Sequence, residues 1–244
     1  MNSKNPTKPA PRSKPAPSSQ PAQPARITQK IEQTPEPVAA QPVRWGYVAL
    51  LVAGIIILGV SGAIAASKKM TGWEHALFVK INGAHLPHWV TSQVAKPLSN
   101  AVWGIVGLAF VMLLWPKYRL MAWQYAVAGG GTFVFEAIVE QLVGRGRPAV
   151  LTHDVILRAS QGGAGFPSGH VAVLSALCLT MWAYVSWPWR ALLVLFVVAE
   201  AWARLFLGVH SPLDIVGGVG AACIVVGVLH LLPGKIRSFF KLHA

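Results

Sequence analysis

Guanidinium, imidazole and carboxylate side chains cluster in two short stretches of this sequence. The residues are Arg145, Arg147, Ser168, Gly169 and His170 in the first stretch, and Arg204, His210 and Asp214 in the second. Arginine presents a planar set of N–H donors that matches phosphate oxygens. A neutral histidine can attack phosphorus, and a second histidine can protonate the leaving oxygen. The residue types therefore indicate phosphoryl transfer without a metal ion.

The local sequence predicts where these groups sit. Ser168 is a favourable N-cap, so the first amides of the following helix would point at a bound anion. His210 and Asp214 lie four residues apart, and Pro212 between them suits the first position of a helix. A carboxylate at that spacing can orient an imidazole ring and stabilise its cation. His170 is the candidate that would protonate the leaving group.

Each of these signals has a simpler explanation when it is taken alone. Arg145 and Arg147 could be a basic loop that contacts lipid headgroups, and a single histidine at the end of a span could be interfacial. Glu200 and Arg204 have the i,i+4 spacing of an intrahelical ion pair. The joint placement of two arginines, two histidines and an aspartate beside two helix starts favours a site.

The composition predicts the elements that position these residues. Of the 244 residues, 54% are hydrophobic and 12% are charged, and the mean hydropathy is +0.50. Soluble domains carry about twice that charged fraction, so an ordinary globular enzyme is excluded. The fold class that we predict is all-α, a polytopic membrane protein with six transmembrane helices. The predicted spans are about 46–66, 98–115, 121–143, 169–187, 191–209 and 213–232.

The distribution of basic residues predicts an orientation. Six spans place both termini on one side, which would carry thirteen lysines and arginines against seven on the other side. The positive-inside rule then makes the termini cytoplasmic, in a plasma or inner membrane, with the candidate site facing outward. The stretch 72–88 is too short to span and has partial helical periodicity, which predicts an amphipathic helix on the outer surface.

The sequence divides into three regions. Residues 1–44 hold ten of the 18 prolines and seven of the 21 basic residues, which predicts a disordered cytoplasmic tail that could recruit a cytoplasmic partner. Residues 45–234 form the predicted membrane domain, and 235–244 form a short basic C-terminus. Cys178 and Cys223 lie in apolar runs, far from metal-ligand spacing. We expect no metal, no cofactor and no nucleic-acid partner.

The two stretches resemble the motifs of the type 2 phosphatidic acid phosphatase superfamily, which read KxxxxxxRP, PSGH and SRxxxxxHxxxD. The second motif is complete in residues 167–170. Arg204, His210 and Asp214 match the third motif, and Arg147-Pro148 matches the end of the first. The resemblance covers about residues 45–232, including the six-helix layout.

The resemblance implies a role for each matching residue. His210 would be the nucleophile that forms a phosphohistidine, with Asp214 orienting its ring. His170 would be the general acid for the leaving group and later the base for water. The phosphate would be held by Arg147, Arg204, Ser168 and the Gly169 amide, and the family needs no metal.

Two positions depart from the family motifs. Glu140 occupies the position of the first-motif lysine, and Ala203 that of the third-motif serine. We predict that Arg145 replaces the lysine at the phosphate, and that Glu140 orients Arg145 or Arg147 through an ion pair. Glu136 would share its helix face with Glu140. The alternative is a site that binds a different group or has lost activity.

The leading function hypothesis is a membrane lipid phosphatase that hydrolyses a lipid phosphate or diphosphate. Undecaprenyl diphosphate is the first choice of substrate, because many bacterial relatives act on it. One alternative is a lipid phosphotransferase that uses the same intermediate. Another is a non-catalytic scaffold that binds lipid phosphates and membrane lipids, with a tail that recruits a partner.

The predicted orientation can be tested by cysteine labelling in intact cells. A cysteine placed at Ser160, between the first two motifs, should react with an impermeant thiol reagent. A cysteine in the tail 1–44 should react only after the membrane is broken. The reverse labelling pattern would contradict both the orientation and the outward-facing site.

Overall fold

The structure is a computed structural model that describes residues 45–112, 114–115, 119–160 and 162–232. The tail 1–44 and the C-terminus 235–244 lie outside the described residues. Within these ranges the chain is all-helical. The α-helices are α1 (Trp45–Ala65), α2 (Gly72–Asn82), α3 (Lys96–Met112), α4 (Arg119–Val143), α5 (Pro148–Leu151), α6 (Gly169–Met181), α7 (Trp187–Phe206) and α8 (Pro212–Leu231).

The all-α class is confirmed, and each of the six predicted spans overlaps one helix, namely α1, α3, α4, α6, α7 or α8. The largest difference is at α6, which ends at Met181 rather than at 187. Three stretches are long and apolar enough to cross a membrane by length and composition. They are Trp45–Ala65, Met121–Leu151 and Pro212–Leu231. The helical run Gly169–Tyr184 is apolar but shorter. Six complete spans therefore remain a prediction.

The middle of the bundle is formed by α6 and α8. Nine of the thirteen α6 residues are buried, α4 packs on one side of this helix, and α1 packs along α8. Glycines let α1 and α8 approach closely, as small residues do between membrane helices. A β-carbon on Gly220 would lie 2.8 Å from the Leu58 nitrogen, and one on Gly54 would lie 2.7 Å from the Ile224 nitrogen.

The outer faces of the bundle are apolar. Ile56 and Val60 on α1, Val134 on α4 and Leu195 and Val198 on α7 are all more than half exposed. In water such a surface would be costly, whereas lipid tails match it at no cost. The exposed aliphatic side chains fit a chain that lies in a bilayer.

The predicted surface helix over 72–88 is shorter than expected. It ends at Asn82, because the chain turns at Gly83, and a separate π-helical turn covers Val90–Ala95. The helix buries Glu74, Phe78 and Asn82, one from each turn, and leaves Trp73 and Leu77 exposed. The buried polar side chains of Glu74 and Asn82 thus hold this helix against the bundle.

A single end of the bundle collects the candidate residues. Helices α4 and α7 end there, and α6 and α8 begin there, so the loops 144–168 and 207–211 meet. Backbone hydrogen bonds join them, from Ser168 N to the Asp214 carbonyl (2.9 Å) and from Arg158 N to the Leu207 carbonyl (3.0 Å). The two motif-bearing stretches therefore become neighbours.

The close approach of α1 and α8 predicts a stability difference between two glycine substitutions. Gly220→Ala places a methyl group against the α1 backbone, so it should destabilise the fold by about 1–3 kcal/mol through overpacking. Gly59→Ala on α1 has open space around its β-carbon and should cause no loss. Thermal unfolding of both variants in detergent measures the difference. Equal midpoints would contradict the packing described.

Candidate active site

A polar cavity of about 270 Å³ lies at the end of the bundle where the two loops meet. Its lining residues are Trp103, Phe133, Glu136, Ala137, Glu140, Arg147, Gly162, Gly163, Pro167, Gly169, His170 and His210. Four of the residues predicted from the motifs, Arg147, Gly169, His170 and His210, therefore share one cavity. Glu140, the residue that departs from the first motif, lines it as well.

His210 is held in one defined orientation. It is almost fully buried, its Nδ1 lies 2.9 Å from the Gly165 carbonyl oxygen, and its Nε2 lies 3.2 Å from Arg147 Nη1. A carbonyl only accepts and a guanidinium only donates, so Nδ1 carries the proton and Nε2 presents its lone pair. Burial, with the guanidiniums of Arg204 and Arg147, lowers the pKa of His210 well below 6.5. The ring is therefore neutral at pH 7.

Arg147 is positioned by backbone oxygens. Its Nε donates to the carbonyls of Gly162 (3.1 Å) and Gly163 (3.3 Å), and its Nη1 donates to the Val209 carbonyl (2.9 Å) as well as to His210. Its Nη2 makes no hydrogen bond with the described residues. The guanidinium thus faces the cavity with donor capacity left for an anion.

Gly163 allows the loop 144–168 to place its carbonyl groups against Arg147. Its φ is +82°, in the left-handed region that favours glycine. A β-carbon there would also lie 2.7 Å from Glu140 Oε1. The backbone conformation requires glycine at this position, and a larger residue would also displace the Glu140 carboxylate.

His170 lies on the first turn of α6 and lines the same cavity. The indole Nε1 of Trp103 donates to its Nε2 at 3.2 Å, and the two rings meet edge to face. Trp103 on α3 therefore orients His170, a role that the motifs do not predict.

Ser168 occupies the N-cap position of α6, as predicted, but its hydroxyl does not cap the helix. The Oγ atom is buried and has no hydrogen-bond partner among the described residues. The backbone is held instead by the bond from Ser168 N to the Asp214 carbonyl. An unpaired hydroxyl beside the Gly169 amide is chemically suited to a ligand oxygen.

Asp214 has closer partners than His210. Its Oδ2 accepts from Ser211 N at 2.7 Å, its Oδ1 accepts from Arg145 Nη1 at 3.1 Å, and His210 Nδ1 is 3.6 Å away from Oδ2. Asp214 thus stabilises the start of α8, which has Pro212 as its first residue, as predicted, and Ser211 as its N-cap. It reaches the His210 ring as a neighbouring charge rather than through a short hydrogen bond.

Arg145 lies in a fully buried ion network, away from the cavity lining. Its guanidinium donates to both oxygens of Glu74 (3.0–3.1 Å), to Asp214 Oδ1, to Ser211 Oγ (2.9 Å) and to the Lys69 carbonyl (2.8 Å). These acceptors occupy its outer nitrogens. Arg145 was predicted to replace the motif lysine at the phosphate. This geometry does not support that prediction, because the Arg145 guanidinium is paired with two buried carboxylates.

The predicted ion pair of Glu140 is also not formed. Across the described ranges, Glu140 has no ion pair or hydrogen bond, and Arg145 is paired with Glu74 and Asp214 instead. Glu140 lines the cavity beside Arg147 without contacting its guanidinium within 4 Å.

Arg204 and Pro148 take supporting positions. The Arg204 guanidinium is buried and donates to Ser99 Oγ on α3, and it lies outside the cavity lining. It is close enough to His210 to lower the pKa of that ring. Pro148 is the buried first residue of the short helix α5, which directly follows Arg147.

Glu74, like Trp103, has a role that the motifs do not predict. It is fully buried on α2, and besides Arg145 it accepts from Thr71 N (2.9 Å), Thr71 Oγ1 (3.0 Å) and Ser211 Oγ (3.0 Å). Thr71 and Glu74 match the capping-box pattern, which signals a helix start in the sequence. Nothing local in the sequence connects that pattern with Arg145, 71 residues later.

The fold and the cavity define a class of protein, namely an all-helical membrane protein with a histidine-lined polar cavity at one end of its bundle. The chain belongs to the PAP2 superfamily, whose family model matches residues 117–238. The matched region contains all three motif stretches.

Named relatives include several bacterial phosphatases. YbjG of Escherichia coli strain K12, a candidate undecaprenyl-diphosphatase by name, is 31% identical over 63% of this chain and 82% of its own length. The lipid A 4'-phosphatase of Bacteroides thetaiotaomicron is 28% identical over 66% of this chain and 79% of its own. The decaprenylphosphoryl-5-phosphoribose phosphatase of Mycobacterium tuberculosis is 33% identical over 66% and 91%.

Two crystal structures share the fold. LpxE of Aquifex aeolicus aligns with a TM-score of 0.54 at 21% identity and covers 67% of this chain and 97% of its own. A transmembrane PAP2-type phosphatidylglycerolphosphate phosphatase of Bacillus subtilis aligns with a TM-score of 0.58 at 16% identity, covering 80% and 99%. At these identities the likeness concerns the fold.

The buried network predicts that Arg145 is needed for stability. Arg145→Met would leave Glu74 and Asp214 buried without their cation, which should cost about 3–5 kcal/mol. His75→Ala is the matched control, because it removes an exposed ion pair with Asp154 and should cost less than about 1 kcal/mol. Thermal unfolding in detergent compares them. An Arg145→Met protein as stable as the control would contradict the role of the network.

Proposed function

We propose that this protein is a membrane lipid phosphatase that removes a terminal phosphate through a phosphohistidine on His210. The observation that carries the proposal is the His210 ring, which is neutral and points the lone pair of Nε2 at Arg147 on the cavity wall. A neutral imidazole nitrogen beside a guanidinium is arranged to attack a phosphorus atom whose oxygens the guanidinium binds.

The named relatives support a lipid substrate. Three of them carry names that refer to different lipids, namely a polyprenyl diphosphate, lipid A and a decaprenylphosphoryl sugar phosphate. A phosphate carried on a lipid is the chemistry that these names share. The apolar outer faces of the helices would keep the hydrocarbon part of such a substrate in the bilayer. Undecaprenyl diphosphate in particular stays a prediction.

The first step forms the phosphohistidine. Nε2 of His210 attacks phosphorus, the bond from phosphorus to the leaving oxygen breaks, and that oxygen takes a proton from His170, which enters this step as an imidazolium with its Nε2 released from Trp103. Arg147 and the first amides of α6 stabilise the charge on the remaining phosphate oxygens. Arg204 lies outside the cavity lining and is proposed to add its positive charge from a distance, and the unpaired hydroxyl of Ser168 lies directly before the Gly169 amide of the cavity wall. Asp214 lies 3.6 Å from His210 Nδ1 and favours the positive charge that the ring acquires.

The second step releases phosphate. His170 accepts a proton from water, the water oxygen bonds to phosphorus, and the bond from phosphorus to His210 Nε2 breaks. The histidines then hold the protons with which the cycle began. The steps need no metal or cofactor, because guanidiniums and helix amides supply the positive charge. In the orientation proposed from the basic residues, the cavity opens to the outer face of the membrane.

Replacement of His210 tests this function. His210→Ala should reduce phosphate release by at least roughly a thousandfold, since it removes the proposed nucleophile. The matched control is His153→Ala, an exposed histidine of the 144–168 loop, which should keep wild-type activity. Purified protein would be assayed for phosphate release from undecaprenyl diphosphate, lipid A and phosphatidic acid, with a chelator present.

Two outcomes would contradict a phosphatase that uses His210 as its nucleophile. One is a His210→Ala protein that retains near-normal turnover, which would mean that His210 is not the nucleophile. The other is wild-type protein that releases no phosphate from any of these lipids, which would favour a binding protein. A loss of activity caused by the chelator alone would contradict the metal-free steps.

A further inference from the structure

Two carboxylates form one wall of the cavity in which phosphate would bind. Glu136 and Glu140 lie one turn apart on α4, and both line the cavity together with Arg147, His170 and His210. A wall of this charge is unexpected in a site for an anion, because like charges repel at close range.

Neither carboxylate has an ion pair or a hydrogen bond in the described part of the protein, although the charge of Arg147 acts on both through space. Glu136 is only 6% exposed, and its Oε2 is buried without a hydrogen-bond partner. Glu140 makes no ion pair there either. Arg147 keeps an unbonded Nη2 but makes no ion pair with either carboxylate, and Arg145 is paired with Glu74 and Asp214. Burying a carboxylate without a partner costs free energy, so a bound cation would stabilise these two residues.

The wall also lies close to the place proposed for the phosphate. A β-carbon on Gly169, the first residue of α6, would lie 2.8 Å from the carboxyl carbon of Glu136. A β-carbon on Gly163 would lie 2.7 Å from Glu140 Oε1 and 4.0 Å from Arg147 Nη2. The carboxylates therefore flank both the helix start and the guanidinium that would hold the phosphate. A cation bound to them would therefore lie close to the proposed position of the phosphate.

Aromatic rings complete this part of the cavity. Trp103 and Phe133 line it beside Glu136, with their ring centroids 6.0 Å apart and their planes nearly perpendicular. Aromatic faces attract organic cations, and rings combined with carboxylates are a recognised way to bind an ammonium group. This second feature points to the same ligand charge as the carboxylates.

We propose that Glu136 and Glu140, with Trp103 and Phe133, bind a positive charge that accompanies the substrate's phosphate. The substrate class that fits is a zwitterionic lipid phosphate, with an ammonium group a few bonds from the phosphate. A free divalent cation carried on the phosphate would satisfy the same wall, and the experiment separates these two sources. The inference rests on the proposed function, and it argues against undecaprenyl diphosphate alone as the substrate.

The test compares two synthetic substrates that differ in one group. They are a long-chain 2-aminoalkyl phosphate and the 2-hydroxyalkyl phosphate with the same chain, presented in detergent micelles with EDTA. Wild-type protein should hydrolyse the amino compound with a kcat/KM about tenfold higher. Glu136→Gln and Glu140→Gln should each reduce this preference, and the double variant should abolish it. Asp154→Asn, which removes an exposed carboxylate outside the cavity lining, should keep the preference.

A parallel series replaces EDTA with Mg²⁺. In wild type, Mg²⁺ could raise hydrolysis of the hydroxy compound to the level of the amino compound. If it does so in wild type but not in the double glutamine variant, the two carboxylates bind a metal ion. That result would overturn the zwitterionic substrate class. Equal hydrolysis of both compounds by wild type under both conditions would overturn the inference while the phosphatase function stands. Failure to release phosphate from either compound would instead contradict the proposed function.

Discussion

The arrangement of the site depends on one guanidinium that serves two buried carboxylates. Arg145 pairs with Glu74 of α2 and with Asp214 of α8, and all three side chains are fully buried. Separately, each charge would be costly at this depth, whereas together they satisfy one another with hydrogen bonds. The network connects the surface helix α2, the loop after α4 and the start of α8. The position of His210, four residues before Asp214, follows from that connection.

His210 shows how this framework prepares a reactive group. The Gly165 carbonyl accepts a hydrogen bond from Nδ1–H, so Nε2 carries the lone pair, which accepts a hydrogen bond from Arg147. Burial and two guanidiniums keep the ring neutral by lowering its pKa. Arg147, which contributes to that effect, is itself fixed by carbonyls of the neighbouring loop. Arg147 therefore helps to keep His210 neutral, and it also offers N–H donors to the phosphate group that His210 would attack.

The sequence predicted the helices and the main cavity residues because those signals are local. Apolar runs gave six helices close to their observed ends, and the motif spacings gave Arg147, His170 and His210. Glu74 and the partners of Arg145 could not be predicted, since pairing between residues 71 positions apart depends on packing. Arg145 and Glu140 show the same limit. Their opposite charges suggested an ion pair, but two deeper carboxylates bind Arg145 and leave Glu140 on the cavity wall.

The central claim is that Nε2 of His210 carries the phosphoryl group. The most direct measurement uses the His170→Ala variant and an aryl phosphate whose leaving group needs no proton. The reaction is quenched rapidly under alkaline conditions, and the protein is then analysed by mass spectrometry. Without the base that activates water, phosphate should accumulate on His210 as an acid-labile adduct, and a His210→Ala/His170→Ala double variant should show none. Absence of the adduct while aryl phosphate is still consumed, or phosphate found on another residue, would contradict the account.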